Sequence, residues 1–316
     1  MRRIKVLTWH IHGSYLYYLS HAAVEFYVLS EPDRGPGYAG RYGHFPWGAN
    51  VHDMPVAELA GRQFDCVLFQ ARQHYLADQY RILTEAQRRL PQIYLEHDPP
   101  RESPFDTRHP VDDPNVLLVH VTHFNRLMWN SGRTPTCVIP HGVVVPDHVR
   151  YSGTLERGIV VVNHLARRGR RLGDDVYLAA RRDIPLDLVG MGAEESPGGS
   201  REIQHDELPA FMARYRFFFN PIRYTSLGLA VCEAMMVGMP VVGLATTEMA
   251  TTIDSGVSGY VYNDLERLTQ AMRALLLDPA AARRLGAGAR AAALERFNIG
   301  RFARDWERAF AQATGA

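Results

Sequence analysis

Short apolar runs along the first half of the chain alternate with longer stretches in which apolar residues recur at helical spacing. Six runs have the length and continuity of buried strands, at residues 4–9, 25–29, 66–69, 93–95, 116–119 and 137–139. Between the third and fourth runs, apolar residues at helical spacing predict one helix, marked by Leu76, Tyr80, Leu83, Ala86 and Leu90. This alternation predicts a parallel sheet that is covered by helices on both faces.

The same pattern restarts after a polar stretch that ends at Arg157. Strand-like runs recur at residues 159–162, 186–189, 217–219 and 241–242. Two amphipathic helices follow, the first marked by Leu265, Leu268, Met272, Leu275 and Leu276 and the last by Phe302, Trp306 and Phe310. We therefore predict an α/β protein of two doubly wound domains. Such a tandem predicts a cleft between the carboxyl ends of the strands, where ligands bind in open α/β sheets.

Length, charge and cysteine content narrow the class of protein. The chain has 316 residues, enough for two domains, and 35 basic against 34 acidic residues, so no basic surplus favours a nucleic-acid partner. The three cysteines, Cys66, Cys137 and Cys232, lie far apart in apolar runs, which is typical of free thiols in a reducing compartment. Because no targeting segment or membrane span is recognisable, we expect a cytoplasmic protein with at most a peripheral membrane contact.

The most informative stretch runs from residue 220 to residue 242. A strand ends at Asn220-Pro221, Ser226 to Gly228 opens a helix, and Gly238 ends it. The free amides and the dipole at a helix amino end suit a diphosphate, and Glu233, about one turn inside, can accept two hydrogen bonds from a ribose diol. Alternatively, Ser226 only caps the helix and Glu233 is a core acid whose hydrogen bonds are satisfied. The local pattern favours neither interpretation.

This stretch resembles the donor-binding region of glycosyltransferase family 4, the retaining GT-B enzymes. The resemblance rests on Gly228-Leu229, Glu233-Ala234-Met235, Gly238 and Pro240-Val241-Val242. It implies that Glu233 holds the ribose and that the backbone around Ser226, Leu227, Gly228 and Leu229 holds the phosphates. The family signature has a first glutamate that contacts the transferred sugar, and here Thr225 occupies that position. The sugar contact must therefore differ.

The resemblance extends to other parts of the second domain. Residues 160–169 are similar to a family segment that carries a phosphate-binding cation, a role that falls on Arg168 with Arg167 as the alternate. A solvated basic loop is the other interpretation of this arginine run. Gly190 belongs to a strand end that matches the family's donor site, and the backbone around Gln204 and His205 lies where relatives bind the base.

In the first half the resemblance is looser. Gly13 follows the first strand, in a turn that relatives place beside the donor phosphate. His97 and Asp98 follow another strand, and the resemblance implies that His97 contacts a hydroxyl of the reacting sugar; a purely structural histidine is the alternative. Asp98 or Glu96 could activate the acceptor hydroxyl. His10 and His12 follow the first strand at alternate positions, an arrangement that metal ligands can have. No carboxylate or cysteine accompanies them in the sequence, so we predict no metal site.

Taken together, the resemblance implies a GT-B fold, with two doubly wound Rossmann-like domains facing across a cleft. The expected parts are a first domain at residues 1–150, a donor-binding domain at residues 151–296, and a helix at residues 297–316 that crosses back to the first domain.

The implied function is metal-independent sugar transfer, with retention of the anomeric configuration, from a nucleoside-diphosphate sugar to a hydroxyl of a carbohydrate or lipid-linked acceptor. We predict no cofactor, because the UDP-, GDP- or ADP-linked sugar is a substrate. The alternatives are a nucleotide-sugar epimerase, a phosphorylase, or a non-catalytic nucleotide- or sugar-binding protein, which Thr225 would favour. The sequence leaves the base, the sugar, the acceptor and the oligomeric state open.

Overall fold

The structure is a computed structural model, and it describes residues 2–315. The chain divides into two compact units. The first consists of Met1–Gly142 together with Ile299–Ala316, and the second of Val143–Asn298. The domain boundaries that we expected from the sequence, after residues 150 and 296, stay a prediction. Each unit contains one sheet, and every strand pair in both sheets is parallel.

The sheet of the first unit has seven strands in the order β3-β2-β1-β4-β5-β6-β7. They are β1 (Lys5–Thr8), β2 (Glu25–Ser30), β3 (Val51–Pro55), β4 (Cys66–Phe69), β5 (Gln92–Glu96), β6 (Val116–His120) and β7 (Thr136–Val138). Six of them coincide with the predicted apolar runs. β3 was missed because it is an edge strand whose His52 and Asp53 are not buried, so it carries no continuous apolar run.

The helices of the first unit are mostly short. They are α1 (Gly13–Leu19), α2 (Gln79–Ile82), α3 (Glu85–Arg88), α4 (His123–Met128) and α12 (Ile299–Thr314), with a 3-10 helix at Val56–Gly61 and a π-helical turn at His74–Asp78. The single helix predicted across residues 76–90 is wrong. The π-helical turn changes the helical phase, Leu83 is extended, and Leu76 and Tyr80 are exposed at 45% and 65%.

The last helix packs against α1, β4 and β5 of the first unit. Phe302, Trp306 and Phe310 are all buried, as their spacing predicts. A Cβ at Gly142 would lie 2.3 Å from the Cβ of Phe302, so this close approach requires a glycine. The indole of Trp306 donates a hydrogen bond to the Tyr15 hydroxyl at 3.1 Å. These contacts fix α12 beside α1 and the segment that follows β7.

The sheet of the second unit has five strands in the order β12-β11-β10-β8-β9. They are β8 (Leu155–Val161), β9 (Leu186–Val189), β10 (Tyr215–Asn220), β11 (Val241–Leu244) and β12 (Gly259–Tyr262). The first four coincide with predicted runs. β12 was missed because it is a short edge strand in which only Gly259 is buried.

The helices of the second unit cover both faces of this sheet. They are α5 (Leu165–Leu172), α6 (Asp174–Ala180), α7 (Leu208–Met212), α8 (Leu229–Val237), α9 (Met249–Thr252), α10 (Leu265–Leu277) and α11 (Pro279–Arg296), with a 3-10 turn at Ala193–Glu195. α10 buries Leu268, Met272 and Leu275, three of the five residues that predicted it. In the part of the chain that the structure describes, no helix is both long and apolar enough to cross a membrane.

Two buried histidines make the first unit sensitive to acid. Burial lowers the pKa of His74 to about 4 and that of His120 to about 3. Neither ring nitrogen of His120 has a hydrogen-bond partner, and the side chain is fully buried. Below a pH of about 6.5 the unfolded chain binds protons that these folded histidines do not take up. The free energy of unfolding therefore decreases as the pH falls from about 6.5 towards 4.

We expect His120→Leu to weaken this pH dependence. Between pH 7 and pH 5 the first unit should lose about 2 kcal/mol less stability in the variant than in the parent, since one depressed histidine pKa is removed. Urea unfolding followed by tryptophan fluorescence measures this, because Trp9, Trp47, Trp129 and Trp306 all lie in the first unit. His123→Gln, at an exposed position, is the control. An unchanged loss in His120→Leu would contradict the assignment.

Candidate functional site

The order of strands in the second sheet locates a ligand-binding position. β8 comes first along the chain and lies between β9 and β10, so the direction of strand succession reverses at β8. In open parallel sheets ligands bind beyond the carboxyl ends of the strands at such a reversal. Here the segments that follow β8 and β10 flank it. They are residues 162–168, which include the two candidate arginines, and residues 221–229, which lead into α8.

The start of α8 is open. Gly228 occupies the N-cap position of the helix and has no side chain to cap it, so Ser226 is not the N-cap residue that the alternative interpretation made it. Gly228 has φ −70°, which any residue adopts, and a Cβ placed on it would meet no atom within 4 Å. Neither backbone conformation nor packing within the chain therefore requires a glycine here. The missing side chain leaves room directly in front of the first helical amides.

Glu233 is almost completely buried in α8. It is 3% exposed and lies within residues 231–237, all of which are buried. Burying a carboxylate in apolar surroundings is costly unless hydrogen bonds compensate. Because Glu233 is the fifth residue of a helix that begins at Leu229, it lies just over one turn from the open start. Both interpretations of Glu233, ribose ligand and core acid, are compatible with this burial.

The loop that carries Thr225 is fastened to the end of α5. The amides of Arg223 and Tyr224 donate to the carbonyl of Arg171 at 3.2 and 3.1 Å. The guanidinium of Arg223 binds Asp175, whose carboxyl pKa is lowered by that hydrogen bond. These contacts hold the half-buried Thr225 in the same unit and on the same sheet edge as the arginines of α5.

Arg167 and Arg168 lie in the first turn of α5. Arg167 is exposed, whereas Arg168 is half-buried. The helix starts after His164, which has a left-handed φ of 52°, and it is interrupted at Gly169, with φ 56° and ψ −142°. The interruption directly after Arg168 separates the predicted phosphate-binding pair from the arginines that follow.

Gly190 is explained by packing. It follows β9 with φ +136°, and a Cβ there would lie 2.8 Å from both the carbonyl oxygen of Val162 and the Oδ1 of Asn163. The same Asn163 oxygen accepts a hydrogen bond from the amide of Met191 at 2.9 Å. This hydrogen bond joins the segments after β8 and β9. The close approach of these two segments is possible because Gly190 has no Cβ. Whether Gly190 also contacts the donor stays a prediction.

Gln204 and His205 precede α7. Both are half-buried, and the carbonyl of Gln204 accepts hydrogen bonds from the amides of Glu207 and Leu208. Their role in binding the base stays a prediction, because a backbone contact to a base leaves no distinctive side-chain arrangement.

The first unit has its own reversal of strand order, between β1 and β4. Gln70, directly after β4, donates from its amide nitrogen to the hydroxyl of Thr8 at 3.1 Å and to the carbonyl of Trp9 at 3.0 Å. Its oxygen is therefore left to accept from His97 Nε2 at 3.2 Å. Because Gln70 fixes the proton on Nε2, the Nδ1 of a neutral His97 is a hydrogen-bond acceptor.

His97 lies among other aromatic rings. Its ring centroid is 4.2 Å from that of His12 and 4.8 Å from that of Tyr15. Burial, together with nearby His12 and His141, lowers the pKa of His97 well below its usual value. His97 is consequently neutral at physiological pH. A neutral imidazole with one defined donor and one defined acceptor nitrogen suits a hydrogen bond with a sugar hydroxyl.

The other first-unit candidates have structural partners. A Cβ on Gly13, the first residue of α1, would lie 2.8 Å from the ring of Phe45, so packing explains this glycine. The Glu96 carboxylate accepts from the amide of Asp98 at 2.9 Å and from the ring of His109 at 3.2 Å. The Asp98 carboxylate binds Arg101. A role of Asp98 or Glu96 towards the acceptor stays a prediction.

Within residues 2–315, no group of three or more histidine, cysteine, aspartate or glutamate side chains is arranged to hold a metal ion.

A family model matches part of the second unit. Residues 179–278 match the family model described as Glycosyl transferases group 1. This segment includes β10, α8 and the candidate donor loop. No curated protein matches the chain.

Solved structures match over nearly the whole chain at low sequence identity. Sucrose-phosphate synthase from Thermosynechococcus elongatus is 17% identical, with 98% of this chain and 99% of that one covered and a TM-score of 0.70. Anabaena HepE in complex with UDP-glucose is 14% identical, with 98% and 100% covered and a TM-score of 0.71. AviGT4, a glycosyltransferase involved in avilamycin A biosynthesis, is 14% identical, with 99% and 98% covered and a TM-score of 0.63.

At these identities the solved structures establish the fold, which is the GT-B fold with two Rossmann-like sheets. The segment that the family model matches confirms the predicted class of enzyme, which is that of the glycosyltransferases.

Proposed function

We propose that this chain is a cytoplasmic, metal-independent glycosyltransferase of the family 4 type, which transfers a sugar from a nucleoside-diphosphate sugar to an acceptor hydroxyl with retention. One observation carries the proposal. At the strand-order reversal of the second sheet, the start of α8 is uncapped and open in front of Gly228, one turn before the buried Glu233. A diphosphate at the helix start and a ribose at the carboxylate account for both features.

The diphosphate needs positive charge as the bond to the sugar breaks. The amides of Leu227, Gly228 and Leu229 and the dipole of α8 supply part of it, and the half-buried Arg168 supplies a full charge, with Arg167 as the alternate. Charged donors that are fixed before the reaction stabilise a leaving group without a metal ion. This fits the position of the arginine pair on the segment that flanks the same reversal.

The proposed reaction breaks the bond between the anomeric carbon and the phosphate oxygen of the donor. A bond from the acceptor oxygen to the anomeric carbon forms on the same face. The acceptor proton passes to the departing phosphate oxygen, so the products are the glycoside and the nucleoside diphosphate. Within this scheme the neutral His97 holds a sugar hydroxyl, with Nδ1 as the acceptor.

The nature of the donor is open among uridine, guanosine and adenosine diphosphate sugars. HepE, which shares the fold, has been solved with UDP-glucose. For this reason UDP-glucose is the first donor to test, and UDP the first nucleotide.

A second candidate is a binding protein without transferase activity. Thr225, in place of the glutamate of the resembled family, favours it. Hydrolysis of UDP-, GDP- or ADP-linked sugars distinguishes the two, because slow transfer to water needs the same bond breaking as transfer to an acceptor. Turnover of any one donor excludes the binding-only function, whereas nucleotide binding without turnover would support it.

We expect Glu233→Ala to weaken binding of the matching nucleoside diphosphate by about tenfold or more, because each hydrogen bond to a charged group contributes about 1.5–3 kcal/mol. Isothermal titration calorimetry measures the affinity. Glu295→Ala is the matched control, since Glu295 is an exposed helical glutamate in the same unit. Equal affinities in the Glu233→Ala variant and the parent would reject the ribose assignment.

Gly228→Val separates folding from binding at one position. The φ of −70° and the empty space around the added Cβ predict a melting temperature close to that of the parent. A branched side chain in front of the helix amides should reduce nucleotide affinity by about tenfold or more, since it removes close backbone contacts to a phosphate. Gly61→Val, also at an open position, controls for the substitution. Full nucleotide affinity in Gly228→Val would show that no phosphate binds there.

A further inference from the structure

We propose that Glu248 supplies the carboxylate that binds the transferred sugar, the contact for which Thr225 is too short and uncharged. The inference rests on the proposed function and names a residue of the same donor site. Glu248 is 8% exposed and follows β11, the strand beside β10.

The segments after β10 and β11 leave the same sheet edge side by side. Asn220, the last residue of β10, pairs with Gly243, the residue before the last of β11. Beyond them, the hydroxyl of Thr246 donates to the carbonyl of Ile222 at 3.2 Å. This hydrogen bond joins the two segments two residues before Glu248 and three residues before Thr225. Glu248 is therefore carried by the immediate neighbour of the loop in which Thr225 lies.

The backbone just before Glu248 is in an unfavourable conformation. Thr247 has φ 50°, in the left-handed region. A β-branched residue there is a genuine outlier, with a cost of about 1–3 kcal/mol, and such positions cluster at functional sites. Glycine or asparagine would relieve the strain. Thr247 therefore holds the backbone before Glu248 in a conformation that its own side chain disfavours.

The Glu248 side chain does not cap its own helix. Glu248 directly precedes α9, where a side chain could cap the helix, but it makes no capping hydrogen bond. The amides of Thr251 and Thr252 bind the main-chain carbonyl of Glu248 instead. Capping of α9 is therefore not the role of this carboxylate.

A carboxylate suits the sugar contact better than any neutral group. It accepts hydrogen bonds from two hydroxyls at once, and charged acceptors form the stronger hydrogen bonds. The resembled family places such a glutamate at the position of Thr225. Moving the carboxylate from one strand-end segment to the adjacent one keeps the charge at the donor site and changes the direction of approach. The sugars accepted would then differ from those of enzymes that have both glutamates of the signature.

The test compares donor turnover with nucleotide binding in four variants. They are Glu248→Gln, Thr225→Glu, the double variant Thr225→Glu/Glu248→Gln, and the exposed control Glu295→Gln. The probes are UDP-, GDP- and ADP-glucose with the corresponding diphosphates. Hydrolysis gives kcat/KM, and calorimetry gives the affinity for the diphosphate, which lacks the sugar.

For Glu248→Gln we expect kcat/KM to fall about 10- to 100-fold, with diphosphate affinity unchanged, because only the sugar contact is lost. The double variant should recover part of the loss. Thr225→Glu alone should lower kcat/KM, since two carboxylates at one sugar repel each other. This single variant tests the proposal without altering the buried Glu248.

Three results would overturn the inference while leaving the proposed function intact. They are parental turnover in Glu248→Gln, an equal loss of diphosphate affinity or failure to fold in that variant, and a gain of activity in Thr225→Glu. If the parent protein neither turns over a donor nor binds a diphosphate, the proposed function and this inference fall together.

Discussion

The parallel pairing of β8 with both β9 and β10 is the constraint on which the second unit depends. Parallel strands bring all their carboxyl ends to one edge of the sheet. Because β8 lies between β9 and β10, the chain segments that follow β8 and β10 lead to opposite sides, which leaves a crevice between them at that edge. The segments after β8 and β10 can then face the same ligand. The hydrogen bonds from the amides of Arg223 and Tyr224 to the carbonyl of Arg171 join the segment after β10 to the end of α5. The candidate arginines and the start of α8 are thus held at the same sheet edge.

Glycines in the candidate site fall into two physical groups. Gly13 and Gly190 are required by the chain itself, because an added Cβ would strike Phe45 or the Val162 carbonyl. Gly228 is not required by any neighbour in the described structure. Sequence resemblance treats all three alike. Only the geometry separates a glycine that closes a contact from one that keeps a space open.

The sequence predicted ten of the twelve strands that the structure describes and missed one of the two edge strands of each sheet, β3 and β12. β4 and β9 match the predicted bounds because buried parallel strands are continuous apolar runs. β3 and β12 lie at sheet edges and carry no such run. The helix predicted across residues 76–90 failed because apolar spacing also occurs on exposed surface, as at Leu76 and Tyr80. Within the site, Glu233 and Gly228 were recognisable from their motif. The residue that we propose as a further sugar ligand, Glu248, was not recognisable, because the unusual feature beside it is the backbone conformation of Thr247, which no residue pattern reveals.

The first unit is assembled from two distant stretches of chain, Met1–Gly142 and Ile299–Ala316. During synthesis, the ribosome must therefore complete the whole second unit before α12 emerges. Until then, the surfaces of Tyr15 and Gly142 that receive Trp306 and Phe302 have no covering. The second unit is continuous in sequence and can fold before synthesis ends, whereas the first unit needs the last helix to be complete. The first unit can therefore be completed only after the second unit has been synthesised.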